Sequence, residues 1–405
     1  MSPIPSAAAA PGGAAGTAIR VMVVDDSVVI RGLIGRWVEE DPALQLVAAH
    51  RNGRFAVDDI ERSAPDVVVL DIEMPEMDGL TALPLMLKKK RDLIVVMAST
   101  LTRRNAEISL RALSLGAQDY IPKPETSSAV TTSQDFRRDL IEKIKALGQR
   151  RRGQPSAGAR PMRAQTSAGR QAAQTPVSRA PAVPRGYARA GAVPHAAPAG
   201  LEAKTRAYSN VRPRIIAIGS STGGPQALQK VLSDIGTAIR EVPVVVTQHM
   251  PPTFTAILAE HLAKAAICPA KEAEHGEVLK PGHIYVAPGG HHMTVVKEGG
   301  QVMAQLNDEP PINFCRPAVD PLFDSVAKVY GSATLAVVLT GMGHDGADGV
   351  RTIAAGGGSI IAQDEATSVV WGMPGAAAQT GLCSDILPIS DIGPKIVRVL
   401  SGGFR

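Results

Sequence analysis

The stretch VVVLDIEMPEMDGL, residues 67–80, opens with four apolar residues and turns polar at Asp71. An unbroken apolar run that short fits a strand buried on both faces, and such strands belong to parallel sheets covered by helices. The same shape recurs on either side. Ala18–Val24 runs largely apolar into Asp25 and Asp26, Leu93–Met97 into Ser99 and Thr100, and Tyr120-Ile121 into Lys123. A further short strand fits Leu46–Ala49, and a helical pattern follows the first strand from Val28 to about Glu40. Strands alternating with helices predict a doubly wound α/β domain of (βα)5 type. Such sheets carry their reactive groups at the carboxyl ends of the strands.

The polar residues fall at those ends. Asp25, Asp26 and Asp71 would crowd one spot, where like charges repel unless a cation neutralises them. All-oxygen ligands suit Mg2+, which can bridge a carboxylate to a phosphate. Lys123 adds a positive point charge and Ser99 a hydroxyl for a phosphoryl oxygen. The set predicts a site that accepts a phosphoryl group on Asp71, with Asp25 and Asp26 as metal ligands beside it. A merely solvated acidic loop would explain one such Asp, not three with a Ser and a Lys after separate strands.

VMVVDDS, VVVLDIEMPEMDGL, VVMAST and DYIPKP together resemble a response-regulator receiver domain over residues 19–125. The resemblance implies that Asp71 is the phosphoacceptor, that Asp25, Asp26 and Asp71 hold Mg2+, and that Ser99 and Lys123 are switch residues. It makes Tyr120 the aromatic residue that reports activation and a partner histidine kinase the phosphodonor.

The chain has 405 residues and 44% apolar composition, enough for two domains and a connection. Its charge of +5 is unevenly spread, since residues 150–214 hold thirteen Arg or Lys against one Glu. That segment is rich in Ala, Pro, Gly and Arg and lacks apolar periodicity, so the basic character belongs to a linker and not to a nucleic-acid-binding surface. Cys268, Cys315 and Cys383 are far apart, which argues against a disulfide framework or thiolate zinc site. No apolar run reaches membrane-spanning length, and the start lacks a signal-peptide pattern. These features predict a cytoplasmic protein without membrane insertion. The expected divisions are a flexible tail at 1–18, the first domain with a closing helix at 19–148, a linker at 149–212 and a second domain at 213–405. In the closing helix Leu140, Ile141, Ile144 and Leu147 share one face.

In the second domain a strand at Arg214–Ile218 leads into GSSTGGPQAL, with a helix from about Pro225. Neither GxGxxG nor GK[ST] is present, so dinucleotide and Walker-type nucleotide readings lack support. GSSTG satisfies G-x-S-x-G with Ser221 at its centre, a weak signal alone. Val242–Val246 then ends in TQHMPP and Leu335–Leu339 in TGMGHDG, which brings Ser221, His249 and Asp345 to loops at one sheet edge. A serine needs an imidazole to take its proton and a carboxylate to fix the imidazole. The order Ser, His, Asp differs from that of an ordinary α/β-hydrolase and predicts a distinct hydrolase fold. The glycines around Met342 allow its backbone N–H to face the site as an oxyanion donor. His291 and His292 fit two readings, residues that reach substrate or surface loop residues, and the second is preferred; Cys315 and Cys383 read as buried small hydrophobes in preference to nucleophiles.

IIAIGSSTGGP, VVVTQHMPP, FTAILAEHL, KEAEHGEVLKPGHIYVAPGGHHM, CRPAVDPLFDSVA, LTGMGHDGADG and AQDEATSVVWGMP resemble the catalytic domain of the chemotaxis protein-glutamate methylesterase family across residues 214–398. The resemblance implies Ser221 as nucleophile, His249 as base, Asp345 as orienting acid and the Met342 N–H in the oxyanion hole. It implies a mostly parallel α/β sheet with an antiparallel hairpin and no cofactor at the esterase site. The substrates would be γ-glutamyl methyl esters, and receptor glutamines, on chemoreceptor cytoplasmic helices. Two positions depart from the family pattern: His344 replaces the usual Asn and Ser220 the usual Ala. The competing readings are a receiver-linked transcription factor, which would need a basic recognition helix, a methylesterase-like protein with a target outside chemotaxis, and a non-catalytic scaffold.

Overall fold

The computed structural model describes residues 18–123, 134–153 and 205–403, which belong to one compact unit. Apart from Ala18, the tail expected at 1–18 lies outside the described residues, as does most of the expected linker.

The first sheet holds β1 (Ile19–Val24), β2 (Leu44–His50), β3 (Val67–Asp71), β4 (Ile94–Thr100) and β5 (Asp119–Lys123). Its order is β2-β1-β3-β4-β5 and every pairing is parallel. All five β3 residues are buried, as an apolar run covered on both faces requires. Between the strands lie α1 (Val28–Glu40), α2 (Gly53–Ser63), α3 (Gly79–Lys89) and α4 (Arg103–Ser114). Each begins where the side chain of Ser27, Asn52, Asp78 or Thr102 accepts a hydrogen bond from the N–H three residues on. Such caps contribute about 0.5–2 kcal/mol each. Gly79 starts α3 against the backbone of β3: a Cβ there would stand 2.0 Å from the Asp71 carbonyl oxygen. The MDG of the opening motif thus fixes how closely α3 approaches the carboxylate strand. The closing helix, Gln134–Gly153, buries Phe136, Leu140, Ile144 and Leu147. Ile141, expected on that face, is only half-buried.

The second sheet is seven-stranded and wholly parallel. It comprises β6 (Ile215–Ser220), β7 (Val244–Gln248), β8 (Ala270–Glu272), β10 (Ile284–Val286), β13 (Thr334–Val338), β14 (Ser359–Gln363) and β15 (Asp385–Leu387), ordered β15-β14-β13-β6-β7-β10-β8. From β6 the chain runs to one side through β7, then returns on the other side at β13. The crevice at the ends of β6, β7 and β13 is therefore the switch point where doubly wound sheets place their sites. The expected antiparallel hairpin, β11 (His292–Glu298) and β12 (Gln301–Asn307), forms a separate small sheet with β9 (Glu277–Val278). Residues ahead of 213 are already tied to this part. Arg206 N–H donates to Cys383 O at 2.9 Å, Tyr208 OH to Asp385 at 2.7 Å and Arg212 Nε to Leu400 O at 2.6 Å. Among the described residues no helix is long and apolar enough to cross a membrane.

Candidate active site

At the carboxyl edge of the first sheet, Asp25, Asp26 and Asp71 bring carboxylate oxygens within 4.8 Å of one another. Lys123 Nζ lies 2.7 Å from both Asp71 Oδ1 and Asp25 Oδ2. Burial alone would lower the lysine pKa, but the two carboxylates raise it and keep the ammonium charged. Burial pushes Asp71 up to about 6, helped by Asp25 and opposed by Lys123. Three oxygen donors with one cation is a set that suits Mg2+. Ser99 sits at the same edge but turns its hydroxyl to Ser109 Oγ at 2.9 Å.

The raised Asp71 pKa has a stability consequence. An unfolded Asp titrates near 4. Between about pH 4 and 6 the native chain therefore holds more protons than the unfolded chain, and its stability falls as pH rises through that window. The full effect is on the order of 2–3 kcal/mol without a divalent cation. The Asp71→Asn variant should show a flatter profile of thermal midpoint against pH there. Parallel profiles for the two chains would mean that Asp71 titrates normally.

The second site is built from three strand ends. Ser221 follows β6, and its N–H donates to Thr340 O at 3.0 Å. Gly341 lets the loop after β13 pass this close, since a Cβ there would meet Met373 Sδ at 2.3 Å and Ser221 Cβ at 2.9 Å. Ser220 is fully buried and donates to Gln248 Oε1 at 2.7 Å, while Gln248 Nε2 donates to Ser221 O at 2.9 Å. The hydroxyl next to the candidate nucleophile is thus engaged in joining the ends of β6 and β7. His249 follows β7, and its Nε2 lies 2.7 Å from Asp345 Oδ2. Asp345 also accepts the N–H of Val319 at 2.6 Å and of Asp320 at 3.1 Å. These are the first two N–H groups of the helix Val319–Tyr330, where the helix dipole favours an anion. Burial opposes the charge on Asp345, but the His249 hydrogen bond and these donors hold its pKa below the ordinary carboxylate value. Burial likewise disfavours a charged His249, yet Cys315 and Asp345 beside the ring raise its pKa. Only the neutral form of this imidazole can take a proton from a hydroxyl, and the carboxylate holds the ring in place for that step.

Ser221, His249, Met342, His344 and Asp345 line one cavity of about 360 Å³. Among the described residues no hydrogen bond joins Ser221 Oγ to His249. The cavity has a second wall. Tyr120 and Pro122 of β5, with Arg138 and Lys143 of the closing helix, face it from the first domain. Asp119 accepts the Thr222 hydroxyl at 2.9 Å and also pairs with Lys143. Tyr120 is buried and stacks on Phe254, with ring centres 4.7 Å apart and planes 8° from parallel. Arg103 reaches Glu260 at 2.7 Å.

Two expectations need correction. His292 is not a surface loop residue: it opens β11, is fully buried, donates from Nε2 to Pro310 O at 3.2 Å and accepts the Ala318 N–H on Nδ1 at 3.2 Å. His292 pairs with Asn307 as the first residue of β11, and that places its ring on the inner face. Cys315 is half-buried in the cavity wall instead of the core, while Cys383 is buried. Cys315 closes a two-residue hairpin with Ile312 through hydrogen bonds of 2.8 and 3.1 Å. The turn residues Asn313 and Phe314 have φ of 49° and 64°, a left-handed backbone that costs a non-glycine residue roughly 1–2 kcal/mol. Sequence reading also missed Thr222, Gln248 and Asp320. Asp320 accepts the Gly349 N–H at 2.8 Å, and burial and Asp345 raise it to about 7. Their signal lay in the family motifs, not in any spacing.

The CheB methylesterase family model matches residues 216–396 and the response regulator receiver domain model residues 21–133. A protein-glutamate methylesterase/protein-glutamine glutaminase of Rhodopseudomonas palustris (strain BisB5) is 55% identical over 95% of this chain and 94% of its own length. One from strain HaA2 of the same species is 56% identical, covering 95% of each chain. Among solved structures, the Thermotoga maritima CheB methylesterase catalytic domain is 42% identical over 47% of this chain and 100% of its own, with a TM-score of 0.45. With 55% and 56% identity over 95% of the chain to the two Rhodopseudomonas palustris proteins, and with both family models matched, the chain belongs to the protein-glutamate methylesterase/protein-glutamine glutaminase family.

Proposed function

We propose that this chain hydrolyses glutamate γ-methyl esters, and deamidates glutamines, on chemoreceptor cytoplasmic helices in the cytoplasm. A histidine kinase of the chemotaxis type supplies the phosphoryl group that releases it. The observation that carries the reading is the His249–Asp345 pair at 2.7 Å in a cavity shared with Ser221.

Ser221 Oγ attacks the glutamyl carbonyl carbon, and its proton passes to the His249 nitrogen that Asp345 leaves free. The carbonyl oxygen gains negative charge and meets backbone N–H groups, that of Met342 among them. The imidazolium returns the proton to the departing methoxide, methanol leaves, and water attacks the acyl-serine to restore a carboxylate. A glutamine loses ammonia by the same steps. Asp25, Asp26 and Asp71 would hold Mg2+, which would supply positive charge to offset that of a phosphoryl group at Asp71. Lys123 and Ser99 contact that group's oxygens once Ser99 turns from Ser109.

A substrate helix is far larger than the 360 Å³ cavity, so the first domain has to move before it can enter. Asp119 and Tyr120, which hold the wall in place, lie on the same strand as Lys123, four and three residues before it on β5. Phosphorylation that repositions this strand end shifts the population toward an open form. Methanol release from a methylated receptor fragment should therefore rise on adding a phosphodonor with Mg2+. Thr222→Val, which removes the bond to Asp119, should raise the rate without phosphodonor about fivefold, the factor for one hydrogen bond of about 1 kcal/mol. A Thr222→Val chain with the parent's basal rate would show that this contact does not hold the cleft shut.

A further inference from the structure

We propose that Phe314 is the residue through which this site engages the helix bearing its ester, an inference that rests on the methylesterase reading above. The hairpin Ile312–Cys315 has a two-residue loop with both central residues left-handed. Loops of that kind favour Asn-Gly, because glycine adopts the conformation without a steric penalty. Here the second position is phenylalanine, and the residue is 75% exposed. The chain thus accepts a strained backbone and a wetted aromatic side chain at one position. Strain that the surroundings hold in place is a feature of ligand-contacting sites.

The surroundings do hold it. His292 ties Pro310 O to Ala318 N–H, at the two ends of the segment. Arg316 donates to Asp308 O at 3.0 Å and Glu309 O at 3.1 Å. Ala318 leads directly into the helix whose first N–H groups hold Asp345. The exposed ring and the site carboxylate therefore share one brace, and the ring stands at a fixed place in the wall of the Ser221 cavity. In the covered form the Arg138 guanidinium of the first domain lies 3.8 Å from the ring centre. Departure of that domain frees the face that Arg138 occupies.

What such a ring meets follows from the substrate's geometry. On a helix, side chains three and four residues apart lie on one face. When an esterified glutamate reaches Ser221, the residue one turn along faces the cavity mouth. The partner is a helical segment with an apolar side chain one turn from its ester, and the aromatic ring supplies a buried anchor of the kind that dominates protein contacts.

The test uses the full chain with phosphodonor and Mg2+. It compares kcat/KM for a methylated receptor fragment with kcat/KM for a capped glutamate γ-methyl ester too small to reach the turn. Phe314→Gly should lower the ratio of the first to the second by about tenfold, through KM for the receptor, and Phe314→Tyr should restore it to within about twofold. The glycine variant should melt no lower than the parent, because glycine relieves the turn. A glycine variant with the parent's ratio overturns the inference, and so does one that melts lower and loses both activities in parallel. A parent chain that cleaves the small ester but not the receptor overturns the substrate reading, and this inference with it.

Discussion

Replacing Ser221 with alanine should lower methanol release from a methylated receptor fragment by about 10⁴- to 10⁶-fold, the range found when a triad nucleophile is lost. Without Oγ no acyl-serine forms, and only direct attack by water remains. The neighbouring serine provides an internal control. Ser220 has its hydroxyl on Gln248, which in turn holds the Ser221 carbonyl. Ser220→Ala removes one buried hydrogen bond, so it should cost about 1–3 kcal/mol of stability and much less activity than the Ser221 change. Measuring kcat for the two variants separates the serines. Comparable losses at both positions would remove Ser221 from the role of nucleophile.

Asp345→Asn should lower kcat by about 10⁴-fold, as loss of the orienting carboxylate does in a serine triad. The geometry explains why the change is not conservative. One oxygen of Asp345 accepts from both His249 and Val319 N–H, the other from Asp320 N–H. An asparagine must turn its NH2 group toward donors on one side. Either the imidazole loses its acceptor or a helix N–H faces another donor in a buried place. Unmade buried hydrogen bonds cost about 1–3 kcal/mol, so the variant should also melt lower. The pH profile is a second check, since the Asp345 charge is one cause of the raised His249 pKa. Without it the acid limb of kcat/KM should move to lower pH. A variant whose acid limb stays in place would point to Cys315 as the neighbour that sets the imidazole's basicity.

Much of this arrangement was legible in the sequence because strand ends announce themselves. Apolar runs that end at or just ahead of Asp25, Asp71, Lys123, His249 and Thr340 locate the carboxyl edges of two parallel sheets, and parallel sheets leave little choice of where sites lie. His292 was misread for a local reason: a histidine pair that follows two glycines looks like loop, and only the pairing of β11 with β12 shows which ring turns inward. Thr222, Gln248 and Asp320 act through contacts between segments distant in the chain, and although all three fall within the family motifs, no periodicity encodes those contacts. The Ile312–Cys315 turn was missed because its central residues, Asn-Phe, lack the glycine that signals such a loop. The wall that β5 and the closing helix raise over Ser221 depends on two surfaces fitting each other, which neither surface's sequence states alone.

Tyr120 is both a neighbour of the phosphorylation strand end and, stacked on Phe254, part of the wall. Reciprocity follows from that double membership. If a phosphoryl group on the receiver makes the cleft easier to enter, then a receptor helix lodged in the cleft must make the receiver bind a phosphoryl mimic more tightly, by the same factor. The chain would then register its own substrate: receiver domains in molecules already seated on a receptor would be primed ahead of those still free in solution.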